Sequence, residues 1–416
     1  MLSAHAQSAR VWREQAVTAP EALAQVRAAE GDGFIAVGRS GGLWWLRSGA
    51  TAQRLGSGID AETPVAAAHG RIVARRSDGR LWIGENNAHA LSAQPVAAHA
   101  GCAVLPLGII AVQGDGPSAR LVRLEPGAGG TWHAIATSRE PVLADAQPLQ
   151  VDLDGGGDGG HIAVLAGPDA ARYRHGVLGD AIEATRVLYL ERHDLSPLRE
   201  LTLPAPHVFE DNRLRVWRGG DGRAAPALVA VRSGPQGAQP ALIEADRSKA
   251  AALRIAALGE PIGSANRWMS PSTDGTHLVS VHTPHLSGAL HAVRRDGERL
   301  LSSPLAEGVS NHAIGAHELD TSAWLGSRYV IADLQSRRRL HAIDVSTRRE
   351  LAPLDLPAPL RSISADAQRR TLACVLADGS RGADCPVAVI EDGFGARQRV
   401  TVGTLESIAA QAAERG

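Results

Sequence analysis

Apolar residues along this chain fall into short blocks, at 34–37, 43–46, 72–74, 81–83, 162–165, 228–231 and 278–281, and each block is bounded by Gly, Asp-Gly or Pro. An amphipathic helix needs apolar positions every three or four residues over ten or more, and these blocks stop too soon for that. They fit short buried strands punctuated by turns. The blocks recur about every 45 residues, the period of propeller blades. Eight units can be followed, at 34–46, 72–83 and 102–132 and then from Asp152, Arg215, Trp268, Trp324 and Ile363. The predicted fold is all-β, a single β-propeller of eight, alternatively seven, four-stranded blades. Residues 1–8 read as a residual signal-peptide tail or disordered N-terminus, 9–403 as the propeller and 404–416 as a C-terminal helix or tail. The segment 9–12 around Val11 is expected to close the last blade. A helix is also expected over 20–30, between Pro20 and Gly31.

One unit opens on VDLDGGGDGG at 151–160, directly before the apolar run 162–165. Alternating carboxylates in a glycine-rich loop can converge as oxygen ligands for a hard cation, which makes Asp152, Asp154 and Asp158 candidate calcium ligands. The fifth position is Gly156 and the strand opens on Gly160-His161, where a full cation loop would place further carboxylates.

The Asp152 loop with its strand resembles the FG-GAP or VCBS-type repeat of integrin-like bacterial propellers. HGVLGDAIEAT at 175–185, VFEDN at 208–212, HTPHLSG at 282–288 and SNHAIGAHELD at 310–320 are similar to segments of secreted bacterial VCBS-repeat proteins. The resemblance covers about 149–320. It implies a propeller fold and an extracytoplasmic compartment, and little chemistry.

Connectivity sorts these motifs. Connections between second and third strands of a blade, and those leading to the next blade, emerge at one end of the strands. By that rule 175–185, 206–212, 282–288 and 310–320 share an upper rim, while the Asp152 loop lies at the opposite end. The rim gathers Asp180, Glu183, Glu210, Asp211, Asn212, His282, His285, Asn311, His312 and Glu318 as candidate ligand-binding residues. Loops on a rigid scaffold are the usual place for recognition, and His beside carboxylates can also ligate metal or move a proton. Asp and Asn at strand ends equally serve to cap turns.

Composition narrows the partners. The 416 residues carry 43 Lys and Arg against 44 Asp and Glu, so no global field draws the chain to nucleic acid. No apolar run approaches the 18 or more residues of a membrane span. Ala4-His5-Ala6 has the small-x-small form of a signal cleavage site, which places the mature start near Gln7 and the protein in the periplasm or outside the cell. Cys374 and Cys385 flank a polar turn and are expected to form a disulfide.

The expected function is a non-catalytic extracytoplasmic binding or scaffold propeller, taking a protein, glycan or small ligand on its upper rim. Its partners include no nucleic acid and no membrane span, and the chain is expected to be a monomer. The alternative is a propeller hydrolase or lyase with a His and carboxylate centre, metal-assisted in one form. No cofactor is called for beyond the candidate calcium.

Overall fold

The computed structural model describes residues 13–16, 21–30, 33–47, 50–157, 159–219, 225–351, 353–366, 368, 370–377 and 387–391. They belong to two compact units, Gly58–Thr321 and a second made of Met1–Ser57 with Ser322–Gly416.

The larger unit holds five antiparallel meanders of four strands, numbered here as blades two to six in chain order. Blade two is Ala66–Ala68, Arg71–Arg75, Leu81–Glu85 and Ala88–Leu91, and blade three is Ala103–Leu105, Gly108–Gln113, Arg120–Pro126 and Trp132–Thr137. Blade four is Leu149–Val151, His161–Asp169, Glu183–Leu190 and Pro197–Thr202. Blade five is Arg215–Trp217, Ala227–Ser233, Gln239–Ala245 and Leu253–Gly259, and blade six is Met269–Thr273, Leu278–His282, Ala289–Asp296 and Arg299–Ala306.

Burial explains the sequence pattern. The second and third strands are covered on both faces, so Ala227–Ser233 and Glu183–Leu190 are almost wholly buried and lack a polar alternation. The fourth strand, as in Pro197–Thr202, is more exposed and mixes polar with apolar residues. Ile162, Val164, Val187, Tyr189, Phe209, Leu228 and Ile243 share one apolar cluster that runs across blades four and five. Tryptophans bind neighbouring blades by a polar contact as well: Trp217 Nε1 donates to the Thr276 carbonyl at 2.7 Å, and Trp268 Nε1 to the Glu210 carbonyl at 2.8 Å. Trp44, Trp82 and Trp217, read from sequence as core, are buried; Trp324 is half-buried and packs on Tyr329.

Between blades four and five the chain adds a short strand, Val208–Phe209. Phe209 pairs with Ala184 of blade four, and Val208 with Ser233 of blade five. This strand therefore holds the residues that follow it, Glu210 to Asn212, between two blades.

The smaller unit has three sheets. One is Leu23–Ala28, Phe34–Gly38, Leu43–Leu46 and Gln53–Gly56. Another is Ala323–Leu325, Arg328–Asp333 and Arg339–Asp344, with Arg349–Glu350 and Leu354–Asp355 both pairing to the last of these. The third is Leu360–Asp366, Thr371–Leu376, Val387–Glu391 and, at its outer edge, Arg13–Ala16. Arg13 stands opposite Glu391 and Ala16 opposite Ala388, so the N-terminal segment completes a sheet begun near the other terminus. Segment 9–12, where this closing strand was expected, lies outside the described residues, as does 404–416.

The helix expected over 20–30 is a strand, Leu23–Ala28. A bulge between Leu23 and Gln25 puts an extra residue into the ladder, so the buried side chains Leu23 and Val26 fall three apart, a helical spacing. Its other edge is satisfied by side chains: Ser362 and Ser364 Oγ accept the Val26 and Ala28 N–H groups at 3.2 and 2.8 Å, and Arg361 Nε donates to the Ala24 carbonyl at 3.2 Å.

Four-stranded antiparallel meanders repeated in chain order are the blades of a β-propeller; six occur among the described residues, beside one sheet whose last place is shared by two short strands and one closed by the N-terminal strand. The helical segments among those residues are single 3-10 turns, at Gly116–Ser118, Ala128–Gly130 and Gly176–Leu178. No helix among them is long and apolar enough to cross a membrane.

Candidate functional site

The four connections assigned to one end of the strands do meet there, within the larger unit. His175, on the connection between the second and third strands of blade four, bonds through Nδ1 to the Glu210 carboxylate, on the connection between blades four and five. The His285 and His312 rings, from the hairpin of blade six and the segment that follows that blade, lie 4.9 Å apart between centroids. Trp268 joins the halves, since its ring meets His312 edge-on at 5.1 Å while its Nε1 holds the Glu210 carbonyl.

Glu210 is fully buried, and its second oxygen accepts a hydrogen bond from Ser233 Oγ. Beside it stands Glu183, the first residue of its strand and only 3% exposed. Among the described residues no hydrogen-bond donor reaches the Glu183 carboxyl. Burial, and then the carboxylates of Glu210, Asp180, Asp145 and Asp211, push its pKa well above the ordinary value. Burial also raises Glu210, against the pull of His175 and Ser233. Tyr173 caps this pocket of charge: its hydroxyl accepts the Asn266 N–H at 2.7 Å, and burial together with Glu210 pushes its pKa to about 12. His285, desolvated and next to His312 and His175, is pressed down to about 4 and is neutral at pH 7.

The acids around this pair have cations of their own. Asp211 holds Arg215 at 2.6 Å, Glu318 holds Arg213, and Asp145 lies 3.6 Å from His317, whose pKa it raises. His317 is stacked on His99 with centroids 3.9 Å apart, and its carbonyl accepts Asn212 Nδ2 at 3.0 Å. A Cβ at position 179 would lie 2.5 Å from the His317 ring, so only glycine lets the 175–185 connection pass so close. Asn311 Nδ2 reaches Ser270 Oγ at 2.9 Å and Asp320 Oδ1 at 3.0 Å.

The sequence placed these residues on an exposed rim. Glu183, Glu210, Asp211, Asn212, Asn311 and His312 are instead buried, because the short strand Val208–Phe209 and the 310–320 segment fold inward between blades. His285 and Glu318 are partly buried, and Asp180 is exposed, accepting the Ile182 N–H at 2.8 Å. His282 stands apart from the cluster, paired with His291 at 4.1 Å. Among the described residues no three His, Cys, Asp or Glu side chains converge to hold a metal ion. Sequence reasoning did not single out Tyr173, His175, Ser233, Trp268 or Asp145 as site residues. The scarcity of tyrosine, three in the chain, was the one available signal for Tyr173.

At the opposite end of blade four the Asp152 loop is closed on itself. Asp152 accepts the N–H groups of Asp154, Gly155, Gly156 and Gly157 at 2.8 to 3.3 Å, and Asp154 pairs with Arg199 at 2.8 Å. Either carboxylate would give up these partners to ligate calcium, and Asp158 lies outside the described residues. Tyr189 anchors the loop base, its hydroxyl accepting from Leu153 N–H at 3.2 Å and donating to the Val151 carbonyl at 3.0 Å. Asp152→Ala is expected to destabilise the larger unit by about 1 kcal/mol in urea unfolding, the low end for charged hydrogen bonds because water reaches this carboxylate. Those amides hold its pKa below the ordinary 3.8, so the contribution is present at neutral pH and lost as pH falls through the lowered value. Cys374 is buried opposite Ala388, and its expected disulfide partner Cys385 lies outside the described residues.

No protein-family model matches the chain, and no curated protein does. Solved structures do match. BamB from Moraxella catarrhalis aligns at a TM-score of 0.53 and 14% identity over 88% of this chain and 93% of that one. The computationally designed Ika8 protein aligns at 0.53 and 10% identity over 90% of this chain and 99% of its own. The Swd1 β-propeller domain of Myceliophteria thermophila aligns at 0.46 and 12% identity, over 81% and 97%. At 14% and 10% identity the likeness to the first two is one of fold alone, and with the repeated antiparallel sheets it supports the β-propeller class.

Proposed function

We propose that the chain is a non-catalytic binding module that holds a partner protein at the end of blades four to six where the buried cluster lies, and that it works outside the cytoplasm as a VCBS-type repeat propeller. One observation carries the reading. Polar side chains from four connections are desolvated together, and Leu286 and Ile314, 62% and 72% exposed, project beside His285 and His312. Apolar residues exposed next to a desolvated polar centre are the composition of a recognition patch.

Peptide and glycan libraries probed with the wild type, with Leu286→Asp/Ile314→Asp and with Leu107→Asp test it. Leu107 is 74% exposed in the turn joining the first two strands of blade three, at the other end of the strands. Peptide binding that falls at least tenfold, about 1.4 kcal/mol, in the double variant and survives Leu107→Asp is expected. Binding unchanged in the double variant, or confined to glycans, overturns the reading. The extracytoplasmic part predicts a native mature protein that begins near Gln7; a retained Met1 removes it.

A hydrolase or lyase has one observation in its favour, the buried Glu183, its pKa raised by burial and by Glu210, beside a carboxylate bonded to His175. Turnover in a glycoside and ester panel that vanishes in Glu183→Gln would replace the first reading by this one.

A further inference from the structure

We infer that Glu183 and Glu210 form the receptor for one organic cation, the ammonium of a lysine or the guanidinium of an arginine side chain on the partner. This rests on the binding-face reading above and names what the face recognises. The argument starts from the distribution of charge. Asp211, Glu318 and Asp145 each face a cationic partner, Arg215, Arg213 and His317. Glu183 and Glu210 sit among them with no Arg or Lys bonded to either. Glu210 is held by an imidazole and a hydroxyl, and Glu183, nine-tenths buried and more, by no donor among the described residues.

A buried carboxyl without a donor is costly to keep, and natural structures place such groups where something else completes them. Glu210 has His175 opposite it as Asp145 has His317, so the one charge Glu183 gains on ionisation is the one that no cation among the described residues faces, and it suits a single cation. His285 and His282, with pKa values near 4, supply none at neutral pH. An anionic ligand would be repelled, and a neutral hydroxyl or amide brings one or two donors but no charge to offset an ionised Glu183. A lysine ammonium brings three donors and an arginine guanidinium five, both enough to satisfy the open carboxyl. The exchange balances: where Glu183 carries a proton the incoming cation replaces it and the proton passes to the buffer, and where Glu183 is already ionised the cation binds with no bond broken. Affinity is therefore expected to rise with pH across the titration of the pair.

The probes are n-butylammonium and ethylguanidinium chloride on the full chain, with tetraethylammonium chloride and butan-1-ol as ionic-strength and shape controls. At pH 8 and about ten times Kd, each of the first two should raise the melting temperature by about 3 °C, with the controls near zero. Titration calorimetry in buffers of different ionisation enthalpy, repeated from pH 5 to pH 9, should show protons released on cation binding at the acid end and fewer as pH rises. Glu183→Gln, which keeps the shape and removes the charge, should abolish both effects. A shift that survives Glu183→Gln, an equal shift with butanol, or no proton release at the acid end overturns the inference. If neither cation shifts the wild type while peptides still bind through Leu286 and Ile314, the cation receptor fails and the binding face stands. For the peptides so found, replacing lysine or arginine by norleucine should weaken binding at least tenfold; an unchanged affinity also overturns the inference.

Discussion

Replacing Asp211 by Ala is expected to destabilise the larger unit by about 3 to 5 kcal/mol, the cost of breaking a buried ion pair by removing one partner. The side chains of Asp211 and Arg215 are 0% and 7% exposed. Nε and Nη2 of Arg215 lack a hydrogen-bond partner among the described residues, and the one other acceptor its guanidinium reaches is the uncharged Arg213 carbonyl, at 3.4 Å from Nη1. The second Asp211 oxygen accepts the Asn212 and Arg213 N–H groups at 3.0 and 3.2 Å and fixes the turn that follows Val208–Phe209. Urea unfolding measures the loss. Asp211→Leu combined with Arg215→Met should recover most of it, because no charge is then left buried. A loss under about 1 kcal/mol for Asp211→Ala would show that the pair is not a latch between blades. Peptide binding by the double variant separates roles: retained binding makes Asp211 structural, and loss with restored stability makes it a contact.

What the sequence revealed and what it hid follow from which strands are buried on both faces. The inner strands, Ala227–Ser233 or Leu278–His282, are continuous apolar blocks, and they gave the repeat and the blade positions. The outer strands, such as Gln53–Gly56 and Pro197–Thr202, mix polar with apolar residues and leave no such mark. Over 20–30 the start and stop signals Pro20 and Gly31 bracket a strand, Leu23–Ala28, as readily as a helix, and its bulge leaves Leu23 and Val26 three apart so that no strict alternation corrects the reading. At the site, chain connectivity alone brought the right four connections to one end of the strands. It could not tell that Glu183, Glu210, Asp211, Asn212, Asn311 and His312 would be desolvated, since nothing in VFEDN announces that Val208–Phe209 adds a strand between blades and carries its successors inward. In the Asp152 loop, carboxylate spacing suited to a cation equally suits an acceptor for the loop's own amides, and the second arrangement is the one present.

Glu183→Gln is expected to stabilise the protein at pH 8 by about 1 to 3 kcal/mol and to have little effect at pH 4, the range spanned by buried polar groups left without partners. A carboxyl whose folded pKa lies above its ordinary 4.5 binds its proton more tightly in the fold than in the unfolded chain. Stability is then fullest below the ordinary value and falls as pH rises through the folded one, and a glutamine, neutral throughout, escapes that fall. The other groups facing Glu183 set the background against which the difference is read. Glu210, between His175 and Ser233, is raised as well and contributes a fall of the same sign that survives the substitution. Asp180 adds a raised carboxyl at the edge, while Asp145 and Asp211 face Glu183 with His317 and Arg215 beside them. His282 and His285 act in the opposite direction: with folded values near 4 they take stability away as pH falls from about 6.5, in wild type and variant alike. The difference between the two melting curves, followed from pH 4 to 9, thus reports Glu183 together with its coupling to Glu210, and it should open as pH rises. A difference of the same size at pH 4 and pH 8 would mean that the amide acts by packing or by a new hydrogen bond, and that Glu183 is not held in its acid form.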